Sequence, residues 1–295
     1  MTRQDLRDSW ARRQESLRKG FYRFSRNPVS VVGLVVVALV ALVAVFGPSI
    51  APYPQHARAY VNFGDAKQPP NRKYLFGTDI IGRDILSRLL FAVRPAVLTG
   101  VLVQATVVPI GTVLGMIGGY FPGTWISTLI MRAADVFVSV PALILALAVC
   151  AVLQPTFTNS MIAVSIASWP WYGRLVYGMT SSLRNEYFVK AAELAGASKA
   201  RILFREILPN VVSPLLTKVT LDIPYVIMLS ASLSYVGLGE QPPIPSLGNM
   251  VSDGVKYIPD QWWIVVAPAL AIVVIVLGFN LLGDGLRDML AMEDS

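Results

Sequence analysis

Val29-Ser-Val-Val-Gly-Leu-Val-Val-Val-Ala-Leu-Val-Ala-Leu-Val-Ala-Val-Phe-Gly47 carries no charged residue and a single hydroxyl, that of Ser30. A helix of this length reaches roughly 28 Å, close to the thickness of a bilayer's hydrocarbon core. It is apolar on every side, which a surface helix of a soluble domain is not. The run therefore reads as a membrane-spanning helix. Upstream lies a tail with Arg3, Arg7, Arg12, Arg13, Arg18, Lys19, Arg23 and Arg26 against only Asp5, Asp8 and Glu15. Basic flanks stay on the inner side, so the tail is predicted to be cytoplasmic. A cleavable signal peptide would have an apolar core of about 7–15 residues without so long a polar lead, so a retained span is the better reading.

Working outward, five further apolar runs fall at Pro95–Gly118, Met131–Leu153, Ser160–Met179, Pro214–Leu238 and Trp263–Leu282. Each is near the twenty or so residues that a crossing needs, which predicts an all-α membrane protein with about six transmembrane helices. Composition agrees. The chain is 54% hydrophobic and only 15% charged, with a mean hydropathy of +0.57, far from the quarter of charged residues typical of soluble domains. The net charge of +7 does not form one basic stripe but flanks the apolar runs, so nucleic acid is not an expected partner. Cys150 is alone within an apolar run and reads as a small core residue, which excludes a disulfide framework.

With the amino terminus inside, parity places the segments around 48–94, 154–159 and 239–262 outside. Those around 119–130 and 180–213, and the carboxyl terminus, fall inside. Charge supports this: the 180–213 segment holds Arg184, Lys190, Lys199, Arg201 and Arg205, whereas 239–262 holds Glu240, Asp253 and Asp260 against Lys256. The 48–94 segment is the exception, with Arg58, Lys67, Arg72, Lys73, Arg83 and Arg88, but long loops translocate with less regard to charge. Trp262 and Trp263 suit the outer headgroup layer. Gly111, Gly115 and Gly119 recur every four residues and give one smooth helical face for close packing. Pro109, Pro141, Pro170, Pro224 and Pro268 lie inside apolar runs, where each removes a backbone donor and can kink its helix.

Enzymatic chemistry is hard to place on this chain. His56 is its one histidine, no Cys/His cluster has metal spacing, and no serine sits in a nucleophile elbow. No lysine directly follows a glycine, so a phosphate-cradling loop is missing and any ATP must be hydrolysed by another chain. Two intramembrane pairs, Arg132 with Asp135 and Lys218 with Asp222, have helical spacing for mutual neutralisation near the inner ends of their spans. A substrate path is the competing reading for both.

The informative polar segment is Leu183-Arg-Asn-Glu-Tyr-Phe-Val-Lys-Ala-Ala-Glu-Leu-Ala-Gly196, followed by Ala-Ser-Lys-Ala-Arg-Ile-Leu-Phe-Arg-Glu-Ile-Leu-Pro209-Asn210. It reads as helix, turn, helix, stop. Gly196 supplies the left-handed residue that ends the first helix, Ser198 caps the second, and Pro209 is expected to terminate it. Ala191 and Ala192 would let a partner approach the backbone, while Phe188 and Leu194 offer apolar contacts. The segment resembles the EAA motif of permease subunits of bacterial ATP-binding-cassette (ABC) importers: Glu-Ala-Ala, three residues, Gly, nine residues, Ile, one residue, Leu-Pro. Ala191, Ala192, Gly196, Leu208 and Pro209 match, whereas Lys190 replaces the Glu and Glu206 the Ile. Three further stretches resemble the dipeptide and oligopeptide permease C-type subunits. These are Leu75-Phe-Gly-Thr-Asp79-Ile-Ile-Gly-Arg-Asp84-Ile-Leu-Ser-Arg-Leu-Leu90, Leu233-Ser-Tyr-Val-Gly-Leu-Gly-Glu-Gln-Pro-Pro243 and Asn280-Leu-Leu-Gly-Asp-Gly-Leu-Arg-Asp288.

The resemblance implies a type I importer permease in the bacterial cytoplasmic (inner) membrane. It would comprise a cytoplasmic tail (1–28), a first span (29–47), an extracytoplasmic loop (48–94), a five-helix core (95–285) with a coupling loop at 180–213, and a second cytoplasmic tail (286–295). It implies a heterodimer with a second related permease, two cytoplasmic ATP-binding subunits that hold ATP and magnesium, and an extracytoplasmic solute-binding protein, with peptides or a related small solute as cargo. No cofactor or metal would be bound by this chain, which would itself be non-catalytic. Phe188, Lys190, Ala191, Ala192, Leu194, Gly196, Leu208 and Pro209 would couple to the ATPases. For Gly77, Thr78, Asp79, Gly82, Arg83 and Asp84 two roles stay open: a hydrogen-bonded turn that holds the outer loop, or contact with the binding protein. A self-sufficient secondary carrier is the rival, and a channel or scaffold a third possibility.

Overall fold

Caps and prolines set the helix starts. In the computed structural model, which describes residue 22 and residues 24–290, α1 (Pro28–Ile50) begins with Pro28 in its first turn and the Asn27 side chain accepting from the Val29 N–H. Most of the basic tail and residues 291–295 lie outside the described residues. The Asp84 carboxylate accepts from Ser87 N–H to start α2 (Ile85–Tyr120), and Thr124 does the same for α3 (Trp125–Val138). Then follow α4 (Ala142–Val152), α5 (Phe157–Leu183) capped by Thr156, and α6 (Tyr187–Leu194). The continuous α7 (Lys199–Tyr235) comes next, then α8 (Leu247–Val255) and α9 (Trp263–Leu290). The described residues contain no strand.

Among the described residues four helices, α1, α2, α7 and α9, are long and apolar enough to cross a membrane. The expected single span at Met131–Leu153, with a possible kink at Pro141, is instead sharply broken: α3 and α4 meet at 92°, and counting them as one bent span gives five. Pro141 explains the break, since it disfavours helical geometry at Val140 and brings no N–H to the ladder. The remaining predicted span lies in α5, whose 27 residues are long enough but are diluted by serines, threonines, Asn159 and Arg174. Helix α2 starts at Ile85, inside the stretch expected as loop 48–94, and so is 36 residues long. Pro109, Pro170, Pro224 and Pro268 are accommodated inside helices.

Helices α2 and α5 pack along the predicted glycine face. A Cβ on Gly111 would meet Tyr172 Cβ at 2.5 Å, one on Gly115 the Gly173 carbonyl at 2.5 Å, and one on Gly119 the Tyr177 carbonyl at 2.6 Å. Within lipid, where apolar surface is not driven inward by water, such backbone-to-backbone packing supplies the dispersion that holds helices together. Around this seam, Val103, Val107 and Met116 of α2, Ala163, Val164 and Val176 of α5, and Val226 and Leu233 of α7 form one core that also includes Cys150. A second core joins α1, α2 and α9 through Val40, Ala44, Val93, Ile275 and Phe279.

Candidate functional site

Helix α6 is too short to be stable alone, and it is fixed by what surrounds it. Val189 is fully buried in the same core as Ile202 and Ile207, and Ala192 packs partly against that core. The opposite side is bare. Tyr187, Ala191 and Leu194, at i, i+4 and i+7, form a stripe in which Tyr187 is 89% and Leu194 90% exposed; Phe188 and Lys190 are exposed beside it. Gly196 ends α6 at φ 77°. Its N–H bonds the Glu193 carbonyl, and the Ala197 N–H reaches the Ala192 carbonyl at 3.0 Å, the paired closure that glycine in the left-handed region permits. Ser198 Oγ then accepts from the Arg201 N–H to start α7.

Pro209 does not terminate the second helix. Residues Ile202–Ile207 take a π turn, and the Leu208 N–H bonds the Leu203 carbonyl five residues back. That looser turn lets Pro209 enter at the first positions of Leu208–Tyr235. The expected stop is thus a bulge within α7, and the knob is rooted directly in a long helix. Three residues brace it that sequence reading left without a role. Tyr120, the last residue of α2, donates to the Glu193 carboxylate, Lys199 Nζ lies 3.2 Å from the same oxygen, and Lys199 also donates to the Tyr120 hydroxyl at 3.1 Å. The Tyr120 hydroxyl, then Lys199, hold the Glu193 carboxyl below the ordinary carboxylate range. Long sequence separation from α6 hid Tyr120, whereas Glu193 and Lys199 lie within the quoted segment.

The 77–84 segment forms a buried polar turn. Asp79 Oδ1 accepts from the Ile81 and Arg83 N–H groups at 3.1 and 2.9 Å, while Oδ2 takes Arg83 Nε at 2.6 Å and Arg88 Nη1 at 2.5 Å. Asp84 accepts from Ser87 N–H and Oγ, and its own N–H donates to His56 Nδ1 at 2.8 Å. Burial pushes the His56 imidazole pKa down, which favours the neutral form that this acceptor role requires. Thr78 Oγ1 bridges the Asp65 carbonyl and the Gln68 N–H, and the Trp263 indole donates to the Thr78 carbonyl at 3.3 Å. Gly77 and Gly82 have φ of 75° and 85°, and a Cβ on either would strike neighbouring backbone. Asp79, Arg83 and Asp84 therefore satisfy one another and the loop. His56, far from the motif, and Arg88, quoted within it but given no role, complete the network.

Of the two pairs expected in helices, Lys218 and Asp222 do meet, at 2.9 Å, but level with the middle of α2 and α5 and not at a helix end. Asp135 takes Arg174 of α5 at 3.0 Å instead of Arg132, which is exposed. A guanidinium on the crossing helix competes with one on the acid's own helix, a choice that spacing along one helix cannot express.

Residues 111–292, which include the knob and the glycine seam, match the family described as binding-protein-dependent transport system inner membrane component. The chain belongs to this permease family. Residues 16–70 match the N-terminal TM domain of oligopeptide transport permease C. The permease is 38% identical over 273 residues to the dipeptide transport system permease protein DppC of Alkalihalophilus pseudofirmus, covering 92% of this chain and 88% of that one. It is 36% identical over 277 residues to the protein of the same name from Haemophilus influenzae, covering 93% and 94%. To the glutathione transport system permease protein GsiD of Escherichia coli it is 41% identical over 268 residues, covering 91% and 88%. A solved structure of the MetNI methionine ABC transporter in an inward-facing conformation superposes with a TM-score of 0.52 at 17% identity, over 68% of this permease and 93% of that chain; this likeness concerns the fold. The permease is thus a multi-pass inner membrane component of an ABC import system, and the self-sufficient carrier is disfavoured.

Proposed function

We propose that this permease carries short peptides, forming the pore as a heterodimer with a second related permease. In this reading an extracytoplasmic solute-binding protein delivers the cargo, and two cytoplasmic subunits bind ATP and magnesium and do all the hydrolysis. The dipeptide and glutathione transporters among its relatives support the cargo class. The observation that carries the coupling role is the bare Tyr187–Ala191–Leu194 face of a knob whose other side is locked into the core. Exposed tyrosine and leucine at helical spacing suit an interface, since a few apolar contacts supply most binding energy.

Both termini and the knob would lie in the cytoplasm; the basic amino-terminal tail and the basic residues flanking the knob favour this, and parity of the spans extends it to the carboxyl terminus. Closure of the ATPases on ATP would draw the knob and its counterpart together. Because α7 continues from the Ser198 cap to Tyr235, roughly 55 Å of helix would carry that displacement along the pore. ATP energy enters only through contacts that differ between the inward- and outward-open states. The turn around Asp79, Arg83 and Asp84 would hold the outer loop, its charges being consumed internally. Reconstitution tests the reading: liposomes with all five components should import a dipeptide with ATP, and omission of either permease or the ATPases should abolish uptake. Dipeptide uptake by this chain alone would overturn it.

A further inference from the structure

The middles of three long helices line a cavity of about 260 Å³ whose wall is partly polar. Gln104 of α2, Ser168 and Tyr172 of α5 are 4%, 6% and 1% exposed. Yet both amide atoms of Gln104, the Ser168 hydroxyl and the Tyr172 hydroxyl have no hydrogen-bond partner among the described residues. The Tyr172 hydroxyl sits beside Gln104 and Asp222. Leaving such groups unpaired in a membrane core is destabilising, and apolar residues of similar shape would fit the bundle better. On the same wall the Lys218–Asp222 pair remains partly accessible, with Lys218 Nζ 5.5 Å from the centre of the Tyr172 ring. The half-exposed rings of Trp171 and Tyr225 flank the open side.

We propose that this cavity is a station on the transport path for a zwitterionic peptide. The ligand's carboxylate replaces Asp222 as the partner of Lys218, and its ammonium replaces Lys218 as the partner of Asp222. Its amide is read by Gln104, which can donate and accept at once, with Ser168 and Tyr172 completing the polar wall. An exchange of pairing suits a transporter, because no charge is stranded in the core while the solute enters or leaves. The proposal rests on the peptide-importer reading above.

The test uses the complete transporter in liposomes with dialanine as probe. In a Cys150→Ala background, Ser168→Cys is modified by a cationic methanethiosulfonate with and without saturating dialanine and ATP. Protection by several-fold is expected. Separately, Gln104→Leu should lower dialanine uptake by about tenfold while the complex stays as heat-stable as its parent or becomes more so, because two unpartnered polar atoms are removed. A purely structural glutamine would give no such loss. Parental transport of dialanine together with unprotected Cys at 168, or with full uptake by Gln104→Leu, overturns the station and leaves the importer reading intact. A parental complex that imports other solutes but no peptide overturns both.

Discussion

Gly196 gives the sharpest perturbation of the coupling knob. Its φ of 77° is required by the closure of α6, yet nothing lies within 4 Å of where a Cβ would stand. Substitution therefore acts through backbone conformation alone. Holding an L-residue in the left-handed region costs about 1–2 kcal/mol, β-branched side chains most and asparagine least. The knob is exposed at this point, so the cost falls on its preorganisation for docking and not on the bundle. A change of 1–2 kcal/mol corresponds to roughly a 5–30-fold weaker equilibrium. Titration of purified ATPase subunits onto the permease pair in nanodiscs should thus rank Gly196, then Gly196→Asn, Gly196→Ala and Gly196→Val, with the last weakened by that factor at unchanged thermal stability. Val binding as tightly as Gly, or Asn binding more weakly than Val, would refute the reasoning.

Other substitutions separate packing from charge. Asp79→Asn leaves the buried Arg83 and Arg88 guanidiniums, now 2.6 and 2.5 Å from the carboxylate, without their hydrogen-bonded counter-charge; a loss of about 3–5 kcal/mol is expected, read as a lower thermal midpoint in detergent. Gly115→Leu should prevent recovery of folded protein because the Gly173 carbonyl stands 2.5 Å from the new Cβ, whereas Gly178→Ala, with nothing within 4 Å, should be neutral or stabilising. The lowered His56 pKa means that the unfolded chain takes up this proton first. Its contribution is complete above the ordinary value of 6.5 and is lost as pH falls through the lowered one. His56→Asn, which can accept but not titrate, should remove that part of the acid loss from a pH series of thermal midpoints.

Much of this architecture could be read in the chain because lipid imposes a simple rule on long segments. The runs of α1, α2, α7 and α9 announced themselves by length and apolarity, and the glycine face at 111, 115 and 119 named its own packing role. Features set by contact between distant segments were hidden. Pro141 signalled a kink but not a 92° break, and Pro209 signalled a stop because the accommodating π turn has no sequence signature. Asp135 chose Arg174 over Arg132 once helix crossing was fixed. At the knob, Gly196 and Ser198 behaved as their chemistry requires. The outward direction of Tyr187 and Leu194 became legible only when Val189 was seen buried.

The central claim, that the knob meets the ATPase inside the cell, is tested most directly by a single cysteine at Leu194 in a Cys150→Ala background. A short bifunctional thiol reagent should join it to the ATPase subunit in the assembled transporter, and a membrane-impermeant maleimide should label it in inside-out vesicles but not in intact cells. Labelling of intact cells, with no crosslink to the ATPase, would contradict the account.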